Sequence, residues 1–131
     1  MNRRGLFVAG LALAAAPALA ARAEERKKGG GETFIQLSTL TANVTRINGR
    51  RGVMTVEVGI DVPDAGLRAR AQESTPLLHA AYGDALRTYA AGLPPGGLPD
   101  PDYLQRQFQR LTDTTLGRPG ATLLLGTVLV N

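Results

Sequence analysis

The chain has 131 residues, enough for one modest core but not for two. It is 44% hydrophobic and 20% charged, which suits a globular domain, and it lacks cysteine and has one histidine. Disulfide scaffolds, thiol chemistry, Cys-based zinc sites and His-rich metal centres are therefore excluded.

The formal charge of +4 is unevenly distributed. Arg3, Arg4, Arg22, Arg26, Lys27 and Lys28 precede residue 30 and face only Glu24 and Glu25 there. From Glu32 onward nine bases balance nine acids, so the excess belongs to the N-terminal stretch and not to the folded part. Nucleic-acid binding needs that excess on the folded surface or on an arm that reaches phosphate, so it is set aside.

Residues 1–23 have the layout of a bacterial export signal: a basic start, an apolar run from Leu6 to Ala21, and small-x-small sites ending at Ala20 and Ala23. The run is 16 residues of mostly alanine, short of the ~20 strongly apolar residues of a membrane span. Cleavage after Ala20 or Ala23 and a periplasmic protein are expected. Arg3-Arg4 before Gly5-Leu6-Phe7 resembles the twin-arginine signature, although the lysine that often follows it is missing. Twin-arginine translocation and general secretion both remain open. Residues 24–33, charged and glycine-rich, read as a flexible linker ahead of a domain at 34–131. Gly29-Gly30-Gly31 lacks the preceding strand and following Lys-Ser/Thr of a phosphate loop.

The domain reads strand, strand, helix, helix, strand. Phe34 to Ile47 is rich in Thr, Val, Ile and Leu, and Asn48-Gly49 closes it as a hairpin turn in which both residues tolerate positive φ. The return strand alternates Met54, Val56, Val58, Ile60 and Val62 with Thr55, Glu57, Gly59 and Asp61, one face buried and the other wet. A helical region from Ala65 to about Ala91 contains Ser74-Thr75-Pro76, a capping residue before a first-turn proline, where a break or kink is expected. Leu78, Tyr82, Ala85 and Tyr89 form its apolar stripe. Asp100-Pro101 starts the next helix, whose inward face is marked by Leu104, Phe108, Leu111 and Thr115 and which ends at Gly117. A last strand fills Ala121 to Val130.

Little of this carries chemistry. Ser38 and Ser74 are the only serines, and neither lies in a nucleophile motif. His79 falls beside the apolar stripe and reads as a helix-edge residue. Asp100 and Asp102 read as helix caps, and Asp61 and Asp64 lack a third ligand for a cation. No catalytic residue, metal or cofactor is expected. Arg46, Arg50 and Arg51 cluster at the hairpin tip, either as solvated turn or as a contact for an acidic partner or anionic lipid. In the last strand Leu123, Leu125 and Leu129 alternate with Leu124, Val128 and Val130, so both faces are apolar. The face with Leu124, Val128 and Val130 is the candidate partner or self-association surface, unless the kinked helix covers it.

Element order and residues together resemble a family. Phe34, Leu37, Leu40, Asn43 and Val44 in the first strand, Val56-Glu57-Val58 in the second, a proline-broken helix, a second helix and a terminal apolar strand resemble the periplasmic domain of FliL, a flagellar basal-body protein. The likeness spans residues 34 to 130. It implies a FliL/stomatin-like α+β fold, a three-stranded sheet with two helices in the order β-β-α-α-β. It also implies a non-enzymatic accessory role at the inner membrane, a protein partner such as the flagellar stator, and homo-oligomers. The chain departs from the family in having an export leader in place of a membrane helix, and in lacking aromatics in its last strand. A small periplasmic ligand-binding protein, with its ligand between sheet and helices, is the alternative.

Overall fold

A computed structural model describes residues 31–131; the expected leader, with Arg3, Arg4, Ala20 and Ala23, and nearly all of the linker lie outside them. Thr33–Asn131 is one compact unit. It is α+β, with strands β1 (Phe34–Gln36), β2 (Leu40–Thr45), β3 (Arg51–Asp61) and β4 (Thr122–Val130) and helices α1 (Ala65–Glu73), α2 (Thr75–Ala91) and α3 (Pro101–Leu116).

The sheet is antiparallel and β3 is its centre. Gly59–Asp61 pair with both β1 and β4, and Met54–Val56 pair with both β2 and β4. β1 and β2 therefore follow one another along one edge of β3, and β4 lies along the other. Four strands replace the expected three because the Phe34–Ile47 run is broken at Leu37–Thr39. Leu37 still donates its N–H to the Val58 carbonyl (3.1 Å), but pairing resumes at Leu40↔Val56, so the segment between β1 and β2 carries one extra residue relative to β3. That is a bulge, and it keeps Leu37 and Leu40 both buried.

The hairpin tip also differs from the expected two-residue turn. Arg46 N–H bonds the Arg50 carbonyl and Gly49 N–H bonds the Arg46 carbonyl, at 2.7 and 2.8 Å. Only Gly49 has positive φ, at 84°, and the Asn48 side chain accepts from Arg50 N–H at 2.9 Å. This is a three-residue loop, Ile47–Gly49, in which glycine alone meets the left-handed requirement.

The helices behave largely as local chemistry dictates. Asp64 caps α1 by accepting from Leu67 N–H at 2.8 Å, and Asp100 caps α3 by accepting from Asp102 and Tyr103 N–H at 3.0 and 3.3 Å. The break falls at Ser74, so three helices replace two. Ser74 makes no side-chain cap; the break follows from Pro76, which has no N–H to continue the ladder. Gly117, at φ 87°, ends α3.

α2 packs on β2 and α3 on β4, giving two layers with the core between. The buried rows are Leu78, Tyr82, Leu86 and Ala90 on α2, and Leu104, Phe108, Thr112 and Leu116 on α3. Thr112 and Leu116 replace the expected Thr115, and Leu86 and Ala90 take the places given to Ala85 and Tyr89, because both rows run in steps of four. Tyr82 and Phe108 stack in the middle, with centroids 5.0 Å apart. α1 packs against α2 and α3, on the helical side, so it does not cover the other face of the sheet.

Candidate interaction surface

Strand β4 contains the feature that sorts its apolar residues. Val56 pairs with Val128 and Val58 with Leu125, so Gly126 and Thr127 together oppose Glu57. This second bulge shifts the alternation by one. Leu123, Leu125, Val128 and Val130 turn toward the core, and Leu124 and Leu129 turn outward, each 40% exposed. Grouping Val128 and Val130 with Leu124 is therefore corrected: both valines pack against the core. Leu129, grouped by sequence spacing with Leu123 and Leu125, is likewise corrected to the outer face. Gly126, a glycine within an apolar strand, was the available signal.

The outer face of the sheet carries two apolar areas. The Phe34 ring lies across Gly59, where a β-carbon would come within 2.1 Å of it, and Leu124 pairs with that glycine. Leu129, opposite Thr55, neighbours exposed Val53. Exposed Glu57 stands between them, its carboxylate accepting from Thr127 N–H at 3.4 Å.

The free edge of β4 is closed at one end only. Gln105 Nε2 donates to the Leu123 carbonyl (2.6 Å), Gln109 Nε2 to the Ala121 carbonyl (2.8 Å), and Gln109 Oε1 accepts from Leu123 N–H (2.8 Å). Two α3 glutamines spaced i, i+4 thus occupy the strand's unpaired groups, a role that their spacing beside Leu104 and Phe108 could have suggested. Farther along, Asn131 and Val53 exchange both backbone bonds, which places Val128 and Val130 in the outward phase of the ladder. Among the described residues nothing bonds the outward backbone groups of Leu125, Val128 and Val130.

Arg46, Arg50 and Arg51 are exposed at the hairpin tip, and among the described residues no carboxylate pairs with them. The loop joining α2 to α3 lies against this tip: Gly96 N–H donates to the Thr45 carbonyl on the free edge of β2, at 2.9 Å.

The remaining polar candidates are structural. Asp61 accepts from the Thr33 hydroxyl. The Asp64 carboxyl is held below its ordinary range by the Leu67 N–H and then by Arg118, 3.1 Å away. The two acids are thus separately engaged, and no group of three metal-ligating side chains occurs among the described residues. His79 lines a cleft of about 270 Å³ with Thr39, Thr41, Gly83 and Arg87, and its Nε2 is enclosed without a hydrogen-bond partner. No serine or acid lines that cleft to serve as nucleophile or orienting group. A groove of about 450 Å³ runs outside α2 and α3 over Ala85, Tyr89, Leu104 and Phe108, where Tyr89 and Tyr103 stack at 5.2 Å. Between sheet and helices, where a ligand was the alternative expectation, Met54, Ile60, Tyr82 and Phe108 are fully buried side chains.

Among the described residues no helix is long and apolar enough to cross a membrane. No family model, no curated protein and no solved structure matches the chain.

Proposed function

We propose that the chain is a non-enzymatic accessory protein, exported to the bacterial periplasm, that acts by docking protein through β4. The observation that carries this reading is the open edge of β4 from Leu125 to Val130, flanked on the outer face by exposed Leu124 and Leu129. An apolar strand edge with free backbone groups is a template for another strand. A second copy of the chain is the first partner, because an antiparallel strand is self-complementary about a two-fold axis. In the frame of the FliL resemblance, the assembly would serve a complex at the inner membrane such as the flagellar stator. The α+β architecture, with helices on one face of an antiparallel sheet and an apolar strand last, and the unfilled edge support that frame.

Light scattering on protein recovered from the periplasm tests the reading. An oligomer is expected, and Leu124→Asp with Leu129→Asp should convert it to monomer with little change in thermal midpoint. Val128→Asp, which points a charge at the core, should instead unfold a large fraction of the protein. A monodisperse monomer at high concentration, joined by no adduct when photocrosslinkers are placed at Leu124 and Leu129 in the cell, overturns it.

A further inference from the structure

Two loops far apart in sequence meet at one end of the domain. Beyond the Gly96–Thr45 bond, Gly96 lies so close beneath Ile47 that a β-carbon on it would come within 2.9 Å of Ile47 Cβ. That end carries Arg46, Arg50 and Arg51, none paired with a carboxylate among the described residues. No acid occurs between Thr33 and Val56 or between Ala85 and Pro99. The next acids along the chain, Asp100 and Asp102, open α3, and Asp100 is committed to capping it. The same end displays Ile47 at 85% and Leu98 at 81% exposure, the most exposed large apolar side chains among the described residues.

Two aliphatic side chains on neighbouring loops do not make up the extended apolar patch that a folded partner would cover. Strand addition is also blocked here, since Gly96 already occupies the Thr45 carbonyl. On an end of the domain that also carries unpaired guanidinium groups, the same side chains suit an anionic bilayer surface. Arginines reach the headgroup phosphates with their stems lying along apolar material, while Ile47 and Leu98 enter the boundary with the acyl chains. We infer that the hairpin tip and the α2–α3 loop together form a docking surface for an anionic lipid bilayer. This surface is independent of the β4 edge and stands or falls separately from it.

The chain contains no tryptophan, so a single introduced one reports its own surroundings. Ile47→Trp and Leu98→Trp are made in the full chain, with Leu77→Trp as control. Leu77 is also exposed but lies in the first turn of α2, at the end of that helix away from the tip. Each is mixed with vesicles of phosphatidylglycerol and phosphatidylethanolamine, or of phosphatidylcholine alone. Emission at positions 47 and 98 should move to shorter wavelength, and be quenched by brominated acyl chains, with the anionic vesicles only. Position 77 should not respond. Adding Arg46→Glu, Arg50→Glu and Arg51→Glu should weaken the apparent partition by about a hundredfold or more, from ~1 kcal/mol per base and tenfold per 1.4 kcal/mol. Arg50→Glu alone, checked by a thermal melt, guards against a folding defect. Because the readout is local, attachment of the leader to vesicles leaves tryptophans at 47 and 98 in water. An unmoved emission at both positions overturns the inference, as does an equal shift with phosphatidylcholine. A response to an acidic protein in place of lipid overturns it too, and assigns the arginines to protein docking.

Discussion

Replacing Tyr82 with Phe removes one oxygen from the buried middle of the helical layer. Tyr82 donates its hydroxyl proton to Thr112 Oγ1, and Thr112 in turn donates to the Phe108 carbonyl at 2.7 Å. Burial pushes the Tyr82 phenol up from an ordinary 10 to about 12, against a smaller opposing effect of the Thr112 hydrogen bond. A native pKa above the unfolded one means that the folded chain keeps its proton through this window while the unfolded chain loses it. Stability is thus complete below pH 10 and falls as pH rises toward 12, by roughly 3 kcal/mol for two pKa units. Tyr82→Phe should remove that decline. At pH 7 the same variant loses one neutral hydrogen bond, about 1 kcal/mol, because Thr112 keeps its bond to Phe108. Thr112→Val preserves shape but leaves the Tyr82 hydroxyl buried without an acceptor, which costs about 1–3 kcal/mol. The double variant should cost clearly less than the sum of the two. Urea unfolding followed by circular dichroism at pH 7, and then between pH 9 and 12, measures all of this. Parallel alkaline declines for the parent and Tyr82→Phe, or strictly additive costs at pH 7, would refute the reasoning.

Gln109→Ala should free the Leu123 N–H and the Ala121 carbonyl, costing about 1–2 kcal/mol and speeding amide exchange at Leu123 specifically. Unchanged exchange there would mean that the glutamine does not close the edge. The lowered Asp64 carboxyl stabilises the fold above its unfolded pKa, near 3.8, and that stabilisation is lost as pH falls through the lower native value. Asp64→Asn, which keeps a capping oxygen but loses the charge beside Arg118, should flatten the acid limb of a thermal-midpoint profile, and salt should shrink the difference.

Much of the domain was legible because it is locally determined. The strict alternation of Met54, Val56, Val58 and Ile60 fixes which face of β3 is buried, whatever its neighbours do. Asp64, Pro76, Asp100 and Gly117 set helix ends through groups within one turn of themselves, although the full separation of α1 from α2 at Ser74 went beyond the expected kink. Local spacing does not determine which of two apolar faces turns inward. In β4 nearly every residue is apolar, so no alternation is available to read. The phase is set by Gly126 and Thr127 sharing Glu57 as a partner, a count that requires both strands. The same holds for the break at Leu37–Thr39, which exists only relative to β3, and for the two glutamines, whose partners lie 12 to 18 residues away. The meeting of Ile47 with the loop that bears Leu98 likewise depends on α2 crossing the sheet and returning the chain to the hairpin tip. Composition and periodicity therefore determined the α+β class and the core face of β3, while the strand breaks and the interaction surfaces were decided by register and chain return, which are properties of pairs of segments and not of either segment alone.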